Sequence, residues 1–203
     1  MLFLVMVALF GCKDAKDFQA ACTADFGYGS ASQDAQAGLD AANCYRVLMG
    51  LEPGQLNGDL DDASQNHAEY MAGLDVISHQ ENPAKPGFTG EWVWDRILAA
   101  GYDYEPGSMV SEVVSSGYEP AEAVDGWVNS VYHRLPFMLP VWLESGFGQS
   151  GLYSSMTFVS PWPDGVRMAV IYPVDGQEGV NPLFNSDWEM PDPAPDHAEV
   201  GTP

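Results

Sequence analysis

The sequence predicts an α+β fold in which helices cover both faces of a small antiparallel sheet. Two observations carry this. Up to Tyr132 the apolar residues recur at helical spacing, whereas after Pro140 short apolar and aromatic runs are punctuated by Gly, Ser and Pro. Helices first and strands later is the order of a layered α+β domain. The 203 residues, 46% hydrophobic and 12% aromatic, suffice for one substantial core and would be stretched to make two.

The elements follow in order. From Ser32 to Leu51 the positions Leu39, Ala42, Tyr45 and Leu48 share a helix face, and Gly50 is placed to end it. Asp59 to Leu74 reads as a second helix, with Leu60, Ala63, His67, Tyr70, Met71 and Leu74 on one side and acids in its first turn, where they complement the helix dipole. Glu91 to Ala100, stopped by Gly101, is a third; Pro120 to Tyr132 is a fourth, with Pro120 suited to a first turn. Gly146 to Ser160 and Val166 to Pro173 read as strands. Beyond Val174 the prolines at 191, 193 and 195 interrupt any helix or central strand.

The N-terminus carries an address. Leu2 to Phe10 is apolar but far short of the roughly 20 residues a spanning helix needs, and it ends in Leu9-Phe10-Gly11-Cys12. This resembles a bacterial lipoprotein signal, although no Lys or Arg precedes the run. The resemblance implies cleavage before Cys12, acylation there, and a protein held on the membrane by its lipid without spanning it. The alternatives are an ordinary secretion signal or a buried strand. Residues 1–11 are thus a signal peptide, and the small, polar, Gly-rich stretch 12–31 a tether. With Cys12 lipidated, Cys22 and Cys44 form an even pair, which an oxidising envelope allows to bond, contributing on the order of 3 kcal/mol by restricting the unfolded chain. The alternative is two core thiols.

Seven Lys plus Arg stand against 29 Asp plus Glu, and a net charge of −22 repels phosphate backbones, so nucleic acid is excluded as a partner. The acids are spread along the chain, which suits a solvated surface.

The ordered motifs Ala63-Ser64-Gln65-Asn66-His67-Ala68, Ile77-Ser78-His79, Ser111-Glu112, Gly126-Trp127-Val128-Asn129-Ser130-Val131-Tyr132-His133-Arg134 and Gly146-Phe147-Gly148 resemble the bacterial branch of the CAP superfamily of cysteine-rich secretory, antigen 5 and pathogenesis-related 1 proteins. The resemblance spans about residues 40–172. It implies an α-β-α sandwich, here residues 32–173, around a cavity lined by histidines and acids. Residues 174–203 resemble a Pro-rich extension that leads into further sequence, with a disordered tail as the alternative. Matched residue by residue, His79 is the first cavity histidine, Glu112 the cavity glutamate and His133 the histidine of the Trp-x-x-Ser-x-x-His-Arg pattern. Ser111 and Val113 replace the usual neighbours of the glutamate, and Ser130 stands where eukaryotic members often carry a second acid.

His79, Glu112 and His133 matter together only if folding gathers them. Two neutral imidazoles and a carboxylate suit zinc or, less specifically, calcium, with positions left open to a ligand. The same trio without metal suits proton transfer, or merely satisfies its own hydrogen bonds. His67, on an apolar face with no second histidine at the spacing of a zinc protease helix, is a core residue. Trp127 is packing. Ser130 shares a face with His133 but lacks the apparatus of a nucleophile, and local bonding is its expected role. Gly146-x-Gly148-x-x-Gly151 precedes no helix and is a glycine-rich strand, not a dinucleotide loop. Three functional readings follow: an envelope-anchored or secreted binding domain for a divalent ion, small ligand or envelope component; a hydrolase of peptide or envelope material, with the trio as its centre; or a scaffold for protein partners. Binding ranks above catalysis.

Overall fold

The computed structural model describes residues 31–141, 143–165, 168–178, 180, 189 and 193. Cys12, Cys22 and the expected signal peptide lie outside these residues; Cys44 is buried. Among the described residues no helix is long and apolar enough to cross a membrane.

Helix α1 spans Gln33–Leu48; Ser32 caps it, its hydroxyl accepting from the Ala35 amide at 3.1 Å. The two-residue strand β1, Gln55–Leu56, leads into α2, Gly58–Leu74, capped by the Asn57 side chain. Then come α3, Val93–Ala100, strand β2, Met109–Ser116, helix α4, Pro120–Val128, a single 3₁₀ turn at Pro136–Met138, and strands β3, Glu144–Ser150, and β4, Tyr153–Ser160. The sheet order is β1-β3-β4-β2; only the short β1–β3 pair is parallel.

The sheet alternates strictly. Val113, Phe147, Met156 and Phe158 face α1 and α4, where Leu39, Tyr45, Val124, Trp127 and Val128 complete the main core. On the opposite face α2 and α3 bury Leu60, Ala63, Val93 and Ile97 against Val159. The result is a sheet between two helical layers, as expected. Two glycines set the spacing of the second interface: a Cβ on Gly146 or Gly148 would fall 2.1 Å from the backbone of Leu60 or Gln65, so α2 rests directly on β3. Hydrogen bonds stitch the same seam, from Ser64 Oγ to Gly146 O and from the Phe147 amide to Asp61. Asp61 is pushed up to about 6, mainly by burial.

Three expectations about elements are corrected. The fourth helix ends at Val128, not Tyr132: Asn129 closes the last turn onto Asp125 O, the Ser130 amide tightens to Trp127 O at 3.2 Å, and the Asn129 and Ser130 side chains donate to the same two carbonyls. Residues 168–173 form no strand: Val170 and Tyr172 pack partly against the main core, and Tyr172 meets Tyr45 edge-on at 5.7 Å, anchoring the segment by side chains. Strand β2 falls where no strand was expected, since Ser111, Glu112, Ser115 and Ser116 disguise its apolar alternation.

Candidate functional site

Three elements deliver the site. Strand β2 carries Glu112, the loop after α2 carries His79, and the turn after α4 carries Ser130 and His133. Helix α2 ends at Asp75, which takes the left-handed conformation (φ 55°) and turns the chain toward that loop.

A buried acid holds the loop in place. Glu81 is completely buried, and its carboxylate accepts from the Thr89 amide at 2.7 Å, from the Gly90 amide at 3.4 Å and from His67 Nδ1 at 2.8 Å. His67, equally buried, donates its other ring nitrogen to Ser78 O at 2.8 Å. Both ring nitrogens of His67 are thus engaged. His67 is the core histidine expected from the sequence, and it fastens the backbone immediately before His79.

Arg96 joins this pair to the site. Its guanidinium, 1% exposed, donates to Glu112 Oε2 at 2.6 Å and to His79 O at 3.2 Å, and stands 3.9 Å from Glu81. Glu112, 3% exposed, receives Arg96 and Ser155 Oγ on Oε2, while His79 Nδ1 meets Oε1 at 3.0 Å. Burial alone would raise the carboxyl's pKa; the His79 hydrogen bond, the Arg96 charge and nearby His67 outweigh it and hold Glu112 below its ordinary 4.5. Glu81 is held down in the same way, with burial opposed by His67, the Thr89 amide and Arg96. Two buried carboxylates thus share one guanidinium.

His133 faces its own partners. Ser130 Oγ lies 2.8 Å from Nδ1 and 3.1 Å from Trp127 O. The single hydroxyl proton goes to that carbonyl, so Nδ1–H of His133 donates to Oγ, and in the neutral ring Nε2 carries the lone pair. Burial pushes the imidazole below its usual 6.5; Glu189 opposes this and His79 adds to it. In His79, Nδ1–H donates to the ionised Glu112, which likewise leaves Nε2 free; the side chain is 50% exposed.

The fold thus joins His79 to Glu112 by a hydrogen bond and sets His133 against Ser130 and Glu189. As the side chains stand, no group of three or more His, Cys, Asp or Glu among the described residues is arranged to hold a metal ion. Ser130 bonds locally, as expected, and no triad forms: Ser130 and Glu189 both address Nδ1 of His133, while Glu112 is committed elsewhere. Trp127 is core, its indole donating to Val114 O at 3.1 Å. Sequence reasoning missed Glu81, Arg96 and Glu189. Arg96 left a signal, because it lies on the same side of α3 as buried Val93 and Ile97; the other two left none.

A layered domain with an open histidine–carboxylate pair beside its sheet is the class these features define. The cysteine-rich secretory protein family model matches residues 39–152, more than half of the chain, and the chain belongs to that family. An extracellular protein containing a SCP domain from Bacillus anthracis str. Ames shares the fold with a TM-score of 0.54 at 19% identity, over 62% of this chain and 40% of that one. The chain therefore spans well under half of the Bacillus protein. An outer surface protein from Borrelia burgdorferi matches with a TM-score of 0.44 at 16% identity, over 61% of this chain and 86% of that one. No curated protein matches.

Proposed function

We propose that this chain is an extracellular or envelope-held binding domain whose His79 and His133 together take a zinc ion, leaving positions open for a small ligand or envelope component. The observation that carries the reading is the parallel state of the two imidazoles. Each has Nδ1 engaged by an acceptor and Nε2 without a hydrogen bond among the described residues. That is how protein metal ligands are oriented: the far nitrogen is fixed so that the near one presents a lone pair. Glu112 serves here as the orienting partner, since Arg96 and His79 already occupy it and a bound cation would stand beside a guanidinium. Nitrogen donors favour zinc over calcium, which asks for six or more oxygens. The wider acidity, 29 acids against seven bases, raises the local concentration of cations. Placement outside the cytoplasm is supported by the lipoprotein-like N-terminus and by the extracellular description of the Bacillus protein.

Isothermal titration with zinc and with calcium tests the proposal. Zinc is expected to bind with one-to-one stoichiometry and to raise the melting temperature, calcium to do neither, and His79→Ala and His133→Ala each to abolish the zinc signal. Absence of zinc binding by the wild-type protein overturns the proposal and leaves a scaffold role.

A further inference from the structure

Glu189 lies far along the chain from the turn that follows α4, beyond the boundary at residue 173 that the motifs suggest. Yet its side chain is 1% exposed and its carboxylate accepts from two consecutive amides, Val131 N at 2.7 Å and Tyr132 N at 3.2 Å. Its Oε1 stands 3.7 Å from His133 Nδ1. A buried carboxylate in a chain of net charge −22 needs strong compensation. Among the described residues no Lys or Arg pairs with it, so the two amides and the imidazole supply that compensation. Paired backbone N–H groups of this kind form a small anion-binding nest.

We propose that Glu189 is a positioning residue of the site: docked on the amides of Val131 and Tyr132, it holds His133 in the tautomer that leaves Nε2 free. Each of the two site histidines then has its own carboxylate at Nδ1, Glu112 for His79 at 3.0 Å and Glu189 for His133 at 3.7 Å. Ser130 gives Nδ1 an acceptor but no charge; the negative charge comes from Glu189, and it favours the proton on the nitrogen that faces it. The docking stands on its own, whereas its value to metal binding rests on the two-imidazole reading above.

The test compares wild type with Glu189→Gln, Glu189→Ala and Glu189→Asp. In metal-free protein, ¹⁵N NMR reports the Val131 and Tyr132 amides and the tautomer of the His133 ring. Wild type is expected to show a predominant Nδ1–H ring. Glu189→Gln, which keeps the shape and loses the charge, should shift both amides and move the ring toward a tautomer mixture, and Glu189→Asp should restore part of the wild-type pattern. Zinc affinity is expected to fall about tenfold or more in the Gln and Ala variants, the usual scale for a lost orienting partner. Unmoved Val131 and Tyr132 amides in Glu189→Ala overturn the docking. Moved amides with an unchanged His133 ring show a structural tie only and overturn the positioning role. If wild type binds no zinc while amides and ring respond as described, this proposal holds and the metal reading alone fails.

Discussion

Two histidine–carboxylate pairs lie side by side in this molecule and have opposite fates. His67 and Glu81 meet at 2.8 Å, both at 0% exposure, with every polar atom of the imidazole engaged. His79 and Glu112 meet at 3.0 Å, yet the imidazole is half exposed and keeps one nitrogen unengaged. The chemistry of the contact is the same. What separates the sealed pair from the open one is the hydrogen-bonding capacity left over once the fold is satisfied. Arg96 touches both pairs and links them, so the sealed pair holds the frame on which the open pair sits.

The largest test of that contrast is Arg96→Ala. It leaves two buried carboxylates without their shared cation, and a loss of about 3–5 kcal/mol is expected in urea denaturation. A loss under about 1 kcal/mol would mean that the two pairs are independent.

Acid separates the pairs more gradually. Glu81 and Glu112 both have folded pKa values below 4.5, so their stabilisation is complete above that pH and is lost as pH falls beneath it. His133 acts earlier. Its folded pKa lies below 6.5, so on acidification the unfolded chain binds a proton before the folded one does, and stability declines as pH drops through 6.5. Melting temperatures of metal-free protein from pH 8 to pH 3 should therefore fall through 6.5 and again below 4.5, with Asp61, pushed up to about 6, opposing the decline between those ranges, and His133→Gln should flatten the first fall while sparing the second. An unchanged first stage in that variant would assign it to another group.

The smallest structural effect is expected at His79. His79→Ala should cost about 1–2 kcal/mol, because the half-exposed ring still donates to the buried Glu112 carboxylate, while removing zinc binding altogether. A large destabilisation would make His79 a second His67.

Much of this was legible beforehand. The helices showed through their periodicity, and Ser32, Gly50 and Gly101 marked ends that the structure places within a few residues. His79, Glu112 and His133 were picked out by their motifs, and His79 and Glu112 meet at 3.0 Å while His133 packs against Ser130 and Glu189. The hidden part is the buried charge. Glu81 sits in a run of polar residues and prolines that reads as solvated loop, and only the tertiary approach of α3 and His67 turns it into an interior residue. Glu189 is harder still, because its partners are backbone amides, and amides carry no trace in the sequence. Strand β2 was missed for a related reason: Glu112 and the serines around it, buried or half-buried by neighbouring elements, erase the alternation that would identify it.

The bare hydrogens of Gly146 and Gly148 act as a gauge for the whole arrangement. They fix how far the helix bearing His67 stands from the sheet that carries Glu112, leaving no tolerance for even a methyl group. Anyone grafting this histidine–acid pair onto another scaffold would have to carry those two glycines along with it, although neither comes near the chemistry.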